Sequence, residues 1–263
     1  MVHFVGAGPG APDLITVRGQ RLINEADVII YAGSLVNPAL LAGAKSGCRI
    51  YDSAKMTLEE VIETIRTAEK AGLTTVRLHT GDPSLYGAIR EQMDLLTSAG
   101  ISYDTTPGVS AFSGAAAALN MEYTLPGITQ SVVITRIAGR TPMPEKESIE
   151  SFAAHGATMV IFLSAGHLEE LSRRLVDGGY ASDTPAAIVY KATWPDEKTL
   201  SCTVGTLAET AKAHGISRLA LIIVGDVASQ AGDAQVGYER SKLYDPAFTT
   251  GYRKGELKEN CRQ

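Results

Sequence analysis

Apolar positions recur along this chain in two alternating rhythms, and that alternation predicts most of its architecture. Residues 2–6 form a short apolar run that leads into a Gly/Pro turn and then a helix. Asp13 is a candidate N-cap for that helix, along which Val17, Arg21, Leu22 and Glu25 follow at helical spacing. Over residues 27–31, Asp27 is followed by the unbroken apolar run Val28-Ile29-Ile30-Tyr31, the pattern of a strand buried on both faces. Thr57 and Glu60 form a capping box ahead of Leu58, Val61, Ile62, Ile65 and Ala68, an amphipathic helix. A strand over 74–79, a helix over 85–99 with Ile89, Met93 and Leu96 inward, a strand over 102–105 and a small-residue helix over 110–119 complete this half. Strand and helix in strict alternation predict a mainly parallel sheet flanked by helices.

Leu125-Pro126-Gly127-Ile128 breaks the pattern, and the grammar changes beyond it. Residues 131–135, 157–163, 185–190, 199–204 and 218–224 read as strands, with helices over 146–154, 167–176 and 206–214. The third and fourth of these strands are joined through Trp194-Pro195-Asp196-Glu197, a turn, so the second sheet is expected to be mixed with at least one antiparallel pair. The fold class read from the sequence is therefore α/β in two αβα domains: 1–124, a linker over 125–130, and 131–263 ending in an extended tail.

Composition narrows the function classes. The 263 residues are 44% hydrophobic and 20% charged with net charge −5, values of a globular chain and not of a general nucleic-acid or anionic-membrane binder. The acidic excess is shared, so neither half is a basic module. Cys48, Cys202 and Cys261 are far apart, and neither they nor the histidines show metal-ligand spacing, so no protein-bound metal and no disulfide framework is expected. No signal peptide or membrane span is read, and the expected location is the cytoplasm.

Candidate chemistry sits in glycine turns. Gly6-Ala7-Gly8-Pro9-Gly10-Ala11 formally fits a dinucleotide fingerprint, but the second strand ends Tyr31-Ala32-Gly33 with no carboxylate for a ribose, and Pro9 removes an N–H. Gly81-Asp82-Pro83-Ser84-Leu85-Tyr86-Gly87 follows the third major strand, where open α/β folds bind ligands; it reads equally well as a capped helix start. Thr106-Pro107-Gly108-Val109-Ser110-Ala111 repeats the motif after the next strand. Three glycine turns on one sheet edge describe a ligand cleft. Arg136 and Arg140 flank Gly139 in a manner suited to carboxylates or phosphates, with a solvated loop as the alternative; Lys191 is a weaker candidate.

Together, Gly6–Gly10 with Asp13-Leu14-Ile15-Thr16, Gly81-Asp82-Pro83 with Tyr86-Gly87, and Pro107–Ala111 resemble the tetrapyrrole methyltransferases, the class III S-adenosylmethionine enzymes of the sirohaem and cobalamin pathways. Residues 31–38 and 135–145 look like the branch that methylates precorrin-4, or its cobalt form, at C11. The resemblance implies a homodimer with an interdomain cleft holding S-adenosylmethionine, released as S-adenosylhomocysteine, and a tetrapyrrole. It places cofactor contacts at Gly81, Asp82, Pro83, Ser110, Ala111, Leu163, Tyr190 and Ala220. It places substrate contacts at Gly8, Pro9 and Tyr86, and gives Arg18, Arg136, Arg140 and Lys191 the carboxylates of the macrocycle. It singles out no catalytic base. Methylation at another carbon, a non-catalytic tetrapyrrole-binding relative and an NAD-dependent oxidoreductase are the competing readings.

Overall fold

A computed structural model describes residues 1–139, 141–231 and 237–256. The chain divides into two compact units, Met1–Ala118 with Val189–Lys198, and Leu119–Ile188 with the remainder from Thr199. Residues 125–130, read from sequence as a linker, lie in the second unit, where the Ile128 and Thr129 N–H groups both donate to Leu125 O.

The first unit is built on five strands: β1 (Val2–Gly6), β2 (Val28–Tyr31), β3 (Arg49–Asp52), β4 (Thr75–His79) and β5 (Tyr103–Thr106). They pair in the order β3-β2-β4-β1-β5, every pair parallel, so all five C-terminal ends lie on one edge. Side chains alternate between faces. Phe4, Val28 and Ile30 pack with Val61, Ile62 and Ile65 of α2 (Leu58–Lys70) and Leu96 of α3 (Arg90–Ser98), whereas Val5, Ile29, Val76 and Leu78 pack with Ile23 of α1 (Val17–Glu25) on the other face. The Thr57/Glu60 capping box is formed as expected. Thr16 caps α1 instead of Asp13, which falls in a 3-10 turn, and Val17 is 90% exposed. The helix expected over 85–99 begins only at Arg90, because Tyr86 (φ 56°) and Ala88 (φ 49°) are left-handed. A short helix, α4 (Ala111–Ala118), follows β5.

The second sheet runs β6-β7-β10-β8-β9, formed by β6 (Val132–Arg136), β7 (Thr158–Phe162), β8 (Pro185–Tyr190), β9 (Lys198–Thr203) and β10 (Ala220–Val224). β6 and β7 are parallel and β7 and β10 antiparallel, which makes it mixed, as read from the sequence. The helices α5 (Ile149–Ala153), α6 (Leu168–Asp177) and α7 (Leu207–Ala213) bury Ile149, Leu168, Leu171, Leu175 and Leu207. No helix among the described residues is long and apolar enough to cross a membrane.

Candidate functional site

At the C-terminal edge of the parallel sheet, the turns after β1, β4 and β5 meet through their backbones. A Cβ on Gly6 would stand 2.5 Å from Gly108 Cα and 2.6 Å from Gly81 O; one on Gly108 would stand 2.1 Å from Gly81 O. Gly6 and Gly108 are thus glycine so that the loops can touch each other. Gly81 is different: its φ is +60°, yet a Cβ there would meet Ser110 Cα and Ala111 N at an ordinary 3.6 Å. Gly8 and Gly81 form an antiparallel bridge, with the Gly81 N–H donating to Gly8 O at 2.9 Å.

Asp82 ties the turns together. Its Oδ2 accepts from the Gly108 N–H at 2.9 Å, and its Oδ1 accepts from the Ser84 N–H at 2.8 Å and the Ser84 hydroxyl at 2.5 Å. Partial burial raises the Asp82 pKa, but these bonds outweigh it and hold the carboxyl below its ordinary value. Pro83 is buried in this turn, and Tyr86, 44% exposed, closes it. Ser110 is buried immediately ahead of α4, and Ala111 opens that helix.

The loop carrying Gly8 and Pro9 is held by side chains of two distant segments. Asn37 Nδ2 donates to Gly10 O at 2.8 Å. The 191–197 turn, which belongs to the first unit, holds it as well: Thr193 Oγ1 accepts from the Ala11 N–H at 2.9 Å, and Trp194 Nε1 donates to Pro9 O at 3.2 Å. Gly10 has no room for a Cβ, which would fall 2.2 Å from the Trp194 ring. Thr193 holds φ 69° and Lys191 φ 47°, a strained geometry for side-chain-bearing residues and above all for a β-branched one. The Lys191 ammonium, 5.5 Å from the Tyr190 ring centroid, is paired with Asp196 at 2.6 Å, so it is engaged within its own turn and not held out for a ligand carboxylate. Arg18 is exposed in the first turn of α1 and has no ion-pair partner among the described residues.

In the second unit, Leu163 follows β7 with φ 54° and is 67% exposed, while Ala220 opens β10 and is buried. Because β7 and β10 are antiparallel, the two share one edge. β6 runs parallel to β7, so Arg136 ends its strand on that edge too. The Arg136 guanidinium donates to Pro142 O at 3.0 Å, Ile137 O at 3.2 Å and Thr141 O at 3.3 Å, organising its own loop. Arg140 lies outside the described residues.

Sequence reading missed Asn37, Thr193 and Trp194, whose bonds reach loops distant in the chain, and the buried polar residues beneath the edge. His79, at the end of β4, is 4% exposed, and among the described residues neither its Nε2 nor the Thr80 hydroxyl has a hydrogen-bond partner. Burial, reinforced by the charge on Arg77, pushes His79 down to about 3, so the imidazole is neutral at physiological pH. Residues 80–89 and 106–113 carry no cation, and Asp82 is their only formal charge. Such an edge offers no cation to a pyrophosphate, which is the physical objection to a dinucleotide.

The family model for tetrapyrrole (corrin/porphyrin) methylases matches residues 1–208. The cobalt-precorrin-4 C(11)-methyltransferase of Methanocaldococcus jannaschii is 50% identical over 257 residues, 98% of this chain and 97% of that one. The precorrin-4 C(11)-methyltransferase of Pseudomonas aeruginosa is 44% identical over 97% of this chain and 99% of its own. Among solved structures, a cobalt precorrin-4 methyltransferase superposes with a TM-score of 0.84 at 43% identity, covering 88% of this chain and 95% of that one. A uroporphyrin-III C-methyltransferase from Thermus thermophilus complexed with S-adenosylhomocysteine gives 0.70 at 26% identity, covering 86% and 92%.

Proposed function

The chain belongs to the tetrapyrrole methylase family, and on that premise we propose that it transfers a methyl group from S-adenosylmethionine to C11 of precorrin-4 or cobalt-precorrin-4 in cobalamin biosynthesis. What supports this above all is similarity over 98% of the chain to a protein of that activity, which covers the 31–38 and 135–145 segments along with the glycine turns.

The first unit suits the cofactor. S-adenosylmethionine supplies an electrophilic methyl group on a sulfonium. A cationic ligand meets no positive side chain in the turns over 80–89 and 106–113, and Gly81, Asp82, Pro83, Ser110 and Ala111 are the residues we assign to it. The orphaned Thr80 hydroxyl and His79 Nε2 beside that turn leave polar capacity for a ligand or bound water. Asp82 acts by pinning the 81–84 turn to Gly108, so its charge is met by three bonds before any ligand arrives. We further assign Tyr190, Leu163 and Ala220 to the cofactor, and Gly8, Pro9, Tyr86 and Arg18 to the tetrapyrrole. Arg136 serves it by holding its loop in shape. The chain's contribution to rate is chiefly to fix two reactants in register and keep water from them. A reduced pyrrolic carbon is already nucleophilic, so no residue of the chain is required to create the nucleophile.

Methyl transfer from labelled S-adenosylmethionine to a precorrin-4 pool tests the proposal, with transfer expected; binding of both ligands without transfer would make the protein a carrier. We also propose a cytoplasmic homodimer with a closed symmetric interface. Sedimentation at micromolar concentration should then give twice the 27.8 kDa chain mass, and a monomer would overturn it.

A further inference from the structure

Arg77 is a buried cation with no anion beside it among the described residues. It projects from β4 on the face shared with its register partners Phe4 and Ile30, is 5% exposed, and forms no ion pair with any described residue. Its partners are all neutral: Nε donates to Gln92 Oε1 at 3.0 Å, and the two terminal nitrogens donate to Ile30 O and Ser53 Oγ, each at 3.0 Å. Burying a guanidinium without a counter-charge is costly, and an apolar side chain of similar volume often serves stability equally well. What the guanidinium provides is reach. Through Ile30 O it holds the end of β2. Through Ser53, whose hydroxyl donates to Tyr31 O at 3.0 Å, it holds the segment after β3 to that same strand end. Through Gln92 it reaches the loop after β4.

Gln92 is the informative partner. It is 5% exposed, accepts from Arg77 with Oε1 and donates from Nε2 to Ala88 O at 3.0 Å. An amide does both at once; a carboxylate would hold Arg77 more strongly but could not donate to a carbonyl. Ala88 is one of the two left-handed non-glycine residues that delay α3, the other being Tyr86, and such conformations persist only where surroundings over-determine them.

We propose that Arg77 and Gln92 are positioning residues for the methyl transfer, a buried relay that fixes the 84–89 loop and so sets where Tyr86 meets the tetrapyrrole. This rests on the proposed methyl transfer, and wild-type turnover in the same assay separates a failure of that reading from a failure of this one.

Gln92→Glu is the decisive variant: it keeps the acceptor for Arg77 and adds a counter-charge, but in place of the bond to Ala88 O it sets a carboxylate oxygen against that carbonyl. Its melting temperature should stay close to that of wild type, the counter-charge beside Arg77 offsetting the loss at Ala88 O. Its S-adenosylhomocysteine affinity should stay within twofold, because Gly81 and Asp82 are pinned independently by Gly8 and Gly108. Its KM for precorrin-4 should rise about tenfold, the equivalent of ~1.4 kcal/mol for one lost bond. Arg77→Met should show the same KM effect. Unchanged KM in Gln92→Glu would overturn the proposal. So would a loss of folding, or a parallel loss of S-adenosylhomocysteine binding, since either would show a role in the general fold. If Arg77→Met fails to fold, Gln92→Glu alone decides.

Discussion

Replacing Gly108 with Ala places one methyl group where three loops meet, and the consequence can be worked from distances. The added Cβ would lie 2.1 Å from Gly81 O and 2.7 Å from Gly6 Cα, against 3.4 Å for an ordinary contact. Both neighbours are backbone at strand ends, so relief requires a shift of roughly an ångström by one whole turn, and overpacking of this kind costs about 1–3 kcal/mol. The same shift strains the Gly108 N–H bond to the Asp82 carboxylate, and a hydrogen bond to a charged group contributes about 1.5–3 kcal/mol. The two losses share one movement and do not add, so a destabilisation of about 3 kcal/mol is expected. Gly81→Ala is the control. Its Cβ meets nothing closer than 3.6 Å, and only the φ of +60° is penalised, at about 1–2 kcal/mol. Urea unfolding with an unchanged m-value gives both numbers, and calorimetry with S-adenosylhomocysteine should show the larger affinity loss for Gly108→Ala. Gly108→Ala within about 0.5 kcal/mol of wild type, a change no larger than that of an ordinary surface substitution, would refute the convergence of the three turns. So would a larger destabilisation in Gly81→Ala.

Other consequences follow from single groups. His79 is held near 3, below its ordinary 6.5, so unfolding takes up a proton in that window and stability falls as the pH drops through it; His79→Gln should flatten the fall, and equal steepness would count against a buried neutral imidazole. Asp82 is held below 3.8, so its ionised form stabilises the fold above that value and the benefit is lost as the pH falls through the lowered one; the gap in melting temperature between wild type and Asp82→Asn should therefore close below about pH 3.8, and a gap independent of pH would contradict the bonding described. Thr193→Val leaves the Ala11 N–H without its acceptor and should cost about 1–3 kcal/mol and raise the KM for tetrapyrrole; wild-type values of both would show that the 191–197 turn does not support the Gly8–Pro9 loop. Arg136→Lys cannot reach three carbonyls in fixed geometry and should impair tetrapyrrole KM nearly as much as Arg136→Ala, with S-adenosylhomocysteine affinity intact; full rescue by Lys would assign Arg136 a bare charge role.

The elements legible in the sequence are those whose causes are local. The α2 capping box and its stripe of Val61, Ile62, Ile65 and Ala68 lie within one helix, and the buried runs of β2, β4 and β7 need no partner to be recognised. β3 escaped because an edge strand reading Arg49-Ile50-Tyr51-Asp52 is half exposed and has no apolar run. The start of α3 was misplaced because Ile89, Met93 and Leu96 keep helical spacing, while what stops the helix sits elsewhere: Gly87 is pressed against Pro83, and Gln92 draws on Ala88 O. The site divides the same way. Glycine turns after parallel strands announce a ligand edge, but nothing in the sequence says that Gly6 and Gly108 exist for each other. Nor does it say that Lys191 is engaged by Asp196, or Arg136 by its own loop.

The proposed reaction is defined by the position of one new carbon–carbon bond. With methyl-labelled S-adenosylmethionine and a precorrin-4 pool, carbon NMR of the product should show a single labelled methyl group bonded to C11. A labelled methyl at any other macrocycle carbon, or an unlabelled macrocycle recovered from protein that binds both ligands, would contradict it.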